Sequence, residues 1–373
     1  MLLICFLCKC QVRFLDAFIL QRASVWKGWK GWKGKKEDRE LMRGRFLKLF
    51  LQWGLGLLLL LLLFVFGDVR QITRLPEIHW GYVFVVFLCD LGFSFSHNFR
   101  WKEIVENLSA RKGGDFFFLY RSLIDSYAVG RLIPMDVSLI GVRSYYLNRY
   151  RNMPMSMAVF SVLLDKFMDV VIFLLMAVPS FLLITRTVSV RGSFLILGLL
   201  LVGQVLVLFW KKGETFHLLF SFYCTFIVRW CLKIPFLGIR MKEGTEGIGE
   251  NVHFPLSSVF RTMGWNYMKY ISFCLRFYFT GRALGVPFSM LETFFFIPVV
   301  QASGFVSVTP GGLGVIELST YGALFLMGVP RSQILIFVFG QRILLTLIFL
   351  CLFVLIRLFY LVQCRWKRIE GLG

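Results

Sequence analysis

Two aspartates, Asp165 and Asp169, stand four residues apart in a run that is otherwise almost wholly apolar, with Lys166 between them. On a helix, a spacing of four puts both carboxylates on one face, with an ammonium near enough to reach either. Two readings of this set stay open. One is an ionic site for a polar headgroup at membrane depth. The other is a local ion pair near the cytoplasmic end of a helix, with Lys166 extending along its stem to the interface. A second set occupies 309–317 and contains Thr309, Pro310, Gly311, Gly312, Gly314 and Glu317. Proline lacks a backbone donor and the glycines leave the backbone bare, so a helix must break here. A helix restarting near Leu313 presents free N–H groups, which suit an anionic group such as a phosphate, with Glu317 about one turn in. A plain connector is the other reading, but three glycines and a glutamate in apolar surroundings are unusual for one.

A third set runs through Gly130, Arg131, Pro134 and Asp136 and is followed by Arg143. It interrupts one apolar segment as 309–314 interrupts another. One proline alone would say little. A pair of broken helices at corresponding places in two halves is the pointer to a transporter binding site and to an internal repeat. Arg276 and Arg342 are further cations within apolar runs, and Arg342 could meet either Glu317 or a lipid phosphate.

Other chemistries find no support. The four histidines, His79, His97, His217 and His253, form no zinc spacing. The chain has no Walker lysine loop and no Gly-x-Ser-x-Gly elbow. Of the nine cysteines only Cys5, Cys8 and Cys10 cluster, with no histidine among them to complete a metal set. No metal and no cofactor are expected.

The elements that must position these residues are membrane helices. Of 373 residues, 57% are hydrophobic and only 17% charged, against about a quarter in soluble proteins. Apolar runs recur at 49–66, 80–96, 116–133, 159–184, 194–210, 259–279, 288–308, 313–327 and 334–360, the second and eighth of them short for a full crossing, which takes about twenty residues. The fold class is therefore all-α, a polytopic membrane protein of about eight spanning helices with one or two re-entrant, broken ones. The segment 116–147 is long enough for a helical hairpin turning at Pro134, tolerated at depth if it lines a cavity. The stretch 216–240, interrupted by Arg229, Lys233 and Pro235, reads as an interfacial segment, and 243–250 as a solvated loop.

The formal charge is +21. Its basic residues gather between apolar runs, which points to membrane topology and not to nucleic acid. Arg100, Lys102, Arg111, Lys112, Arg143, Arg149, Arg151, Lys211, Lys212, Arg365, Lys367 and Arg368 fall on one side of the alternation, placing both termini in the cytoplasm and the chain in the cell membrane. The start, 1–48, is a basic cytoplasmic segment. Its repeated Trp-Lys-Gly at 26–34 reads as an unstructured tail in preference to an interfacial anchor, because glycine at every third place removes helix propensity. Residues 1–41 read as an extension ahead of a start at Met42. The membrane domain is expected over 49–360 and a short basic cytoplasmic tail over 361–373.

The 309–317 run, the Asp-Lys-x-x-Asp run at 165–169, Gly328-Val329-Pro330 and the late Arg342 together resemble the lysylphosphatidylglycerol synthase transmembrane family, in its free-standing UPF0104 form. The resemblance spans about 42–357. It is looser at the first break, where Met135, Asp136, Ser138 and Leu139 stand in place of that family's polar-glycine set. It does not extend to the soluble aminoacyl-transfer domain, so lipid aminoacylation is not implied.

The resemblance implies a lipid translocase, in which two re-entrant helices shape a polar cavity. Arg143, Arg276, Arg342 and helix N-termini would receive a phosphate. Glu317, Asp165 and Asp169 would contact a cationic headgroup or position the arginines. The alternative is an accessory or scaffold protein for a lipid-modifying or lipid-linked glycosyltransferase. A membrane-embedded transferase ranks last, with Asp165 and Asp169 its only acid pair. The expected partners are membrane lipids, with a membrane-bound transferase and a second copy of this chain as candidates.

Overall fold

A computed structural model describes residues 51, 53–63, 65, 77–109, 115–185, 187–210, 255–286, 288–306 and 309–370. The cysteine cluster, the Trp-Lys-Gly run, the segment 216–240 and the loop 243–250 lie outside the described residues. All regular structure among the described residues is helical. The helices are α1 (Trp53–Leu63), α2 (Trp80–Ser109), α3 (Phe116–Val129), α4 (Met135–Arg151), α5 (Met155–Ile184) and α6 (Val190–Trp210). After the gap come α7 (Leu256–Ala283), α8 (Met290–Val306), α9 (Val315–Leu326) and α10 (Arg331–Glu370), with a 3₁₀ turn at Pro310–Gly312 ahead of α9.

Within this set, Trp80–Ser109, Met155–Ile184 and Arg331–Tyr360 are long and apolar enough to cross a membrane, while α1, α6 and α8 are apolar but shorter. The exposed surface is greasy. Leu174, Phe181, Leu195, Leu199, Ile343 and Leu347 all stand out from the helices, whereas Arg100, Arg143 and Asp165 are completely buried. Apolar side chains outside and charges inside is the arrangement lipid imposes, because a charge facing hydrocarbon is costly and must find its partner within the protein.

Helix α2 corrects the sequence reading. It was expected to end at 96, where His97, Asn98 and Arg100 interrupt the apolar run. Those residues are buried and bonded within the bundle, so the helix continues to Ser109. Hydropathy reads an internal polar face as a gap. The same finding removes Arg100 and Arg143 from the residues that mark cytoplasmic loops.

Helices α3 and α4 form the expected hairpin. Asp115 caps α3, accepting from the Phe117 N–H at 3.1 Å. The turn closes through Arg131 N–H to Ala128 O and Leu132 N–H to Val129 O, and Pro134 opens α4. Ser138 Oγ donates to Ser126 O at 2.5 Å, stapling the two arms. Asn152 ends α4 in the left-handed conformation (φ 53°), which asparagine tolerates better than most residues.

Helices α2 and α7 pack face to face along much of their length. A Cβ at Gly92 would sit 3.1 Å from Ser272 Oγ, and Phe99 stacks on Trp265 with ring centres 4.6 Å apart. Close approach at small residues is how helices associate in lipid. The main apolar core lies further along, where Phe277, Phe288, Phe296 and Phe337 meet edge to face.

Candidate functional site

Asp165 and Asp169 do share a face of α5, and both point into the bundle. Asp165 accepts from His97 Nε2 at 2.8 Å, Arg100 Nε at 2.7 Å and Arg143 Nη1 at 2.7 Å. Asp169 accepts from Arg100 Nη1 at 2.6 Å and from Lys269 Nζ at 2.7 Å. Arg100 also donates to Asn266 Oδ1, and His97 Nδ1 meets the Tyr127 hydroxyl at 2.6 Å. The Arg143 guanidinium lies 3.8 Å over the Trp101 ring. His97, Arg100 and Trp101 come from one face of α2, Asn266 and Lys269 from one face of α7, and Arg143 from α4. One network therefore ties α2, α5 and α7 to the α3–α4 hairpin.

Lys166 does not join it. Adjacent residues on a helix point about 100° apart, so Lys166 leaves the Asp165–Asp169 face and instead pairs with Asp136 at 2.5 Å. That pair fastens the start of α4 to α5.

The second break is a 3₁₀ turn with left-handed glycines. Gly311, Gly312 and Gly314 have φ of 58°, 70° and 79°, a region only glycine enters freely. The free helix N-terminus expected here for an anion is already occupied. Glu317 Oε2 accepts from the Gly314 N–H at 2.7 Å, so the chain supplies its own carboxylate to the start of α9. Glu317 Oε1 also meets Arg342 Nη1 at 3.1 Å, and Arg342 Nη2 donates to Gly311 O at 2.9 Å. Of the two partners expected for Arg342, the structure shows Glu317. Helix α1 presses on this turn: a Cβ on Gly314 would come 2.5 Å from Leu59 Cβ and 2.7 Å from Gly56 O.

The two breaks meet. A Cβ on Gly311 would lie 3.6 Å from both Arg131 Cα and Gly130 O. Beside this meeting point lies a cavity of about 330 Å³, within the range of ligand pockets, about 300–1,000 Å³. Its aromatic lining includes Phe93, Phe273, Phe277, Phe305 and Phe349. Interleaved with the rings are Arg131, Lys166, Lys269, Arg276 and Arg342 and the carboxylates Asp90, Asp136, Asp169 and Glu317. Arg276 bridges to Asp90 and lies over Phe273.

Of the residues singled out by sequence, Asp136, Lys166, Asp169, Arg276, Gly311, Gly312, Glu317 and Arg342 face this cavity. Asp165 and Arg143 stand behind it in the network, and Pro134, Thr309, Pro310 and Gly314 shape the breaks without lining it. Arg131, named by sequence within the first break, also lines the cavity, whereas sequence reading missed the site roles of Asp90, His97, Arg100 and Lys269. Asp90, a carboxylate inside an apolar run, carried a usable signal.

Fold and site together define a polytopic helical membrane protein whose interior cavity forms where two interrupted helical segments converge. The family model of the lysylphosphatidylglycerol synthase TM region matches residues 49–353, and the chain belongs to that family. A UPF0104 membrane protein of Methanothermobacter thermautotrophicus is 22% identical over 292 residues, covering 76% of this chain and 85% of that protein. No solved structure matches the chain.

Proposed function

We propose that the protein is a lipid translocase, flippase- or scramblase-like, that passes a phosphate-bearing headgroup across the cell membrane and catalyses no covalent step. The observation that carries the reading is the convergence of the two breaks on a cavity lined by both charged and aromatic side chains. Irregular backbone at membrane depth is stable only where protein or a cavity surrounds it, and paired broken helices at one site are the architecture of substrate passage. The family's membrane region, taken over 49–360, fits a lipid role. The basic residues at the two ends of the chain, with Lys211 and Lys212, support a reading in which both termini are cytoplasmic.

The test is transbilayer movement of a fluorescent phospholipid in vesicles holding the purified protein, beside Glu317→Gln. Neutralising Glu317 leaves Arg342 without its carboxylate and weakens the acceptor at Gly314 N–H. Movement by the wild type, lowered by about tenfold or more in the variant, supports the reading. Movement equal to that of empty vesicles across several headgroups sinks it and favours the accessory-protein alternative, for which a membrane-bound transferase partner is then sought.

A further inference from the structure

We propose that Arg131 is the phosphate-binding residue of this cavity and that the cavity selects phosphodiester lipids whose headgroup carries no positive charge. The inference rests on the cavity being the lipid site of the translocase reading.

The charges on the cavity wall show why. Lys166 pairs with Asp136 at 2.5 Å, Lys269 with Asp169 at 2.7 Å, Arg342 with Glu317 at 3.1 Å, and Arg276 with Asp90. Every carboxylate on the wall is thus engaged by a cation. Arg131 is the cation left over. Among the described residues it has no carboxylate partner: its Nη1 donates to Thr346 Oγ1 at 3.2 Å, its guanidinium lies 5.3 Å from the Phe349 ring centre, and its Nε is buried without an acceptor.

An uncompensated cation inside a membrane protein is costly, so what enters beside it should be an anion. A phosphodiester is an anion whose two free oxygens match the forked donors of a guanidinium. Arg131 sits where the two breaks touch, next to Gly311. Phe273, Phe277 and Phe349 on the same cavity suit the apolar part of a lipid better than free inorganic phosphate.

The same arithmetic disfavours a cationic headgroup. An ammonium would need a spare carboxylate, and the wall has none. An aminoacylated lipid would add positive charge to a wall whose carboxylates are all engaged already.

The experiment is equilibrium binding to the purified full chain in micelles, read by thermophoresis. The probes are dioctanoylphosphatidylglycerol, its lysyl ester, dioctanoylglycerol and inorganic phosphate. The expected result is that dioctanoylphosphatidylglycerol binds more tightly than the lysyl ester and dioctanoylglycerol by about tenfold or more. Arg131→Gln should remove that advantage, and Arg131→Lys, which keeps the charge, should retain part of it. The lysine variant and the size-exclusion profile separate lost recognition from lost fold.

Wild-type affinity in a folded Arg131→Gln protein overturns the inference, as does equal binding of the lysyl ester. Inorganic phosphate competing at the same concentration as the lipid overturns the choice of a lipid ligand. If binding follows the expected pattern while vesicles show no lipid movement, the translocase reading alone fails. If lipid movement depends on Glu317 while Arg131→Gln changes neither binding nor movement, the present inference alone fails.

Discussion

Replacing Asp165 by asparagine should be among the most destabilising single changes in this chain, and the structure fixes the reason. The residue is completely buried, and its carboxylate accepts from His97, Arg100 and Arg143 at 2.7–2.8 Å. Asparagine keeps the shape and removes the charge. Arg143 is then left with no carboxylate among its described contacts, and Arg100 with Asp169 alone. Breaking a buried pair by deleting one partner costs about 3–5 kcal/mol, because the surviving charge stays buried. The Lys166–Asp136 pair is the internal comparison. It is as short, at 2.5 Å, but Asp136 is 40% exposed, so Asp136→Asn should cost about 1 kcal/mol or less. The assay is a denaturation midpoint in mixed detergent and SDS micelles, followed by tryptophan fluorescence, for which Trp101 beneath Arg143 is a local reporter. The double change Asp165→Asn with Arg143→Gln should cost less than the sum of the two single changes, since it removes the orphaned charge. A loss in Asp165→Asn no greater than in Asp136→Asn would refute the claim that burial sets the strength of this network.

The same midpoint should fall in Gly314→Ala, where the left-handed backbone alone strains an alanine by about 1–3 kcal/mol and the new Cβ meets Leu59 and the Gly56 carbonyl. Gly304→Ala, with nothing within 4 Å of its added carbon, should leave it unchanged. Asp125→Asn should loosen the hairpin from α10, because Asp125 accepts from Arg357 and from the Tyr146 hydroxyl, each at 2.5 Å. Faster amide exchange across Phe116–Val129 and Met135–Arg151, with α5 unaffected, is the expected reading. Uniform protection would count against the staple.

Much of the framework is legible without coordinates, and its residues explain why. Pro134 and the glycines at 311, 312 and 314 act on their own backbone, so the hairpin and the second break follow from local chemistry. The shared face of Asp165 and Asp169 and the nearness of Glu317 to Gly314 are likewise consequences of helical spacing. Partner choice is a different matter. Arg100 finds Asp165 across 65 residues and Lys269 finds Asp169 across 100, and no periodicity encodes that. Arg100 and His97 even argue against themselves, since a window average counts each as the end of a span. Lys166 shows the reverse error: closeness in sequence suggested Asp165 or Asp169, and helix geometry turns it to Asp136 instead.

The network and the cavity wall solve opposite parts of one problem. In lipid, apolar helix faces gain little by meeting each other in place of acyl chains, so close packing and internal polar contacts must specify the assembly. Asp165 does this by drawing α2, α4 and α5 onto one carboxylate, and Asp169 adds α7. Each cation of that network, Arg100, Arg143 and Lys269, meets at least one of the two carboxylates. Arg131 is set in the same bundle without such a partner among the described residues, at the point where the backbone of one break touches that of the other. The other cations on the cavity wall each meet a carboxylate, and among the described residues Arg131 meets none, at the place where the proposed path for a headgroup would run. Structural pairing alone accounts for the network; it does not account for Arg131.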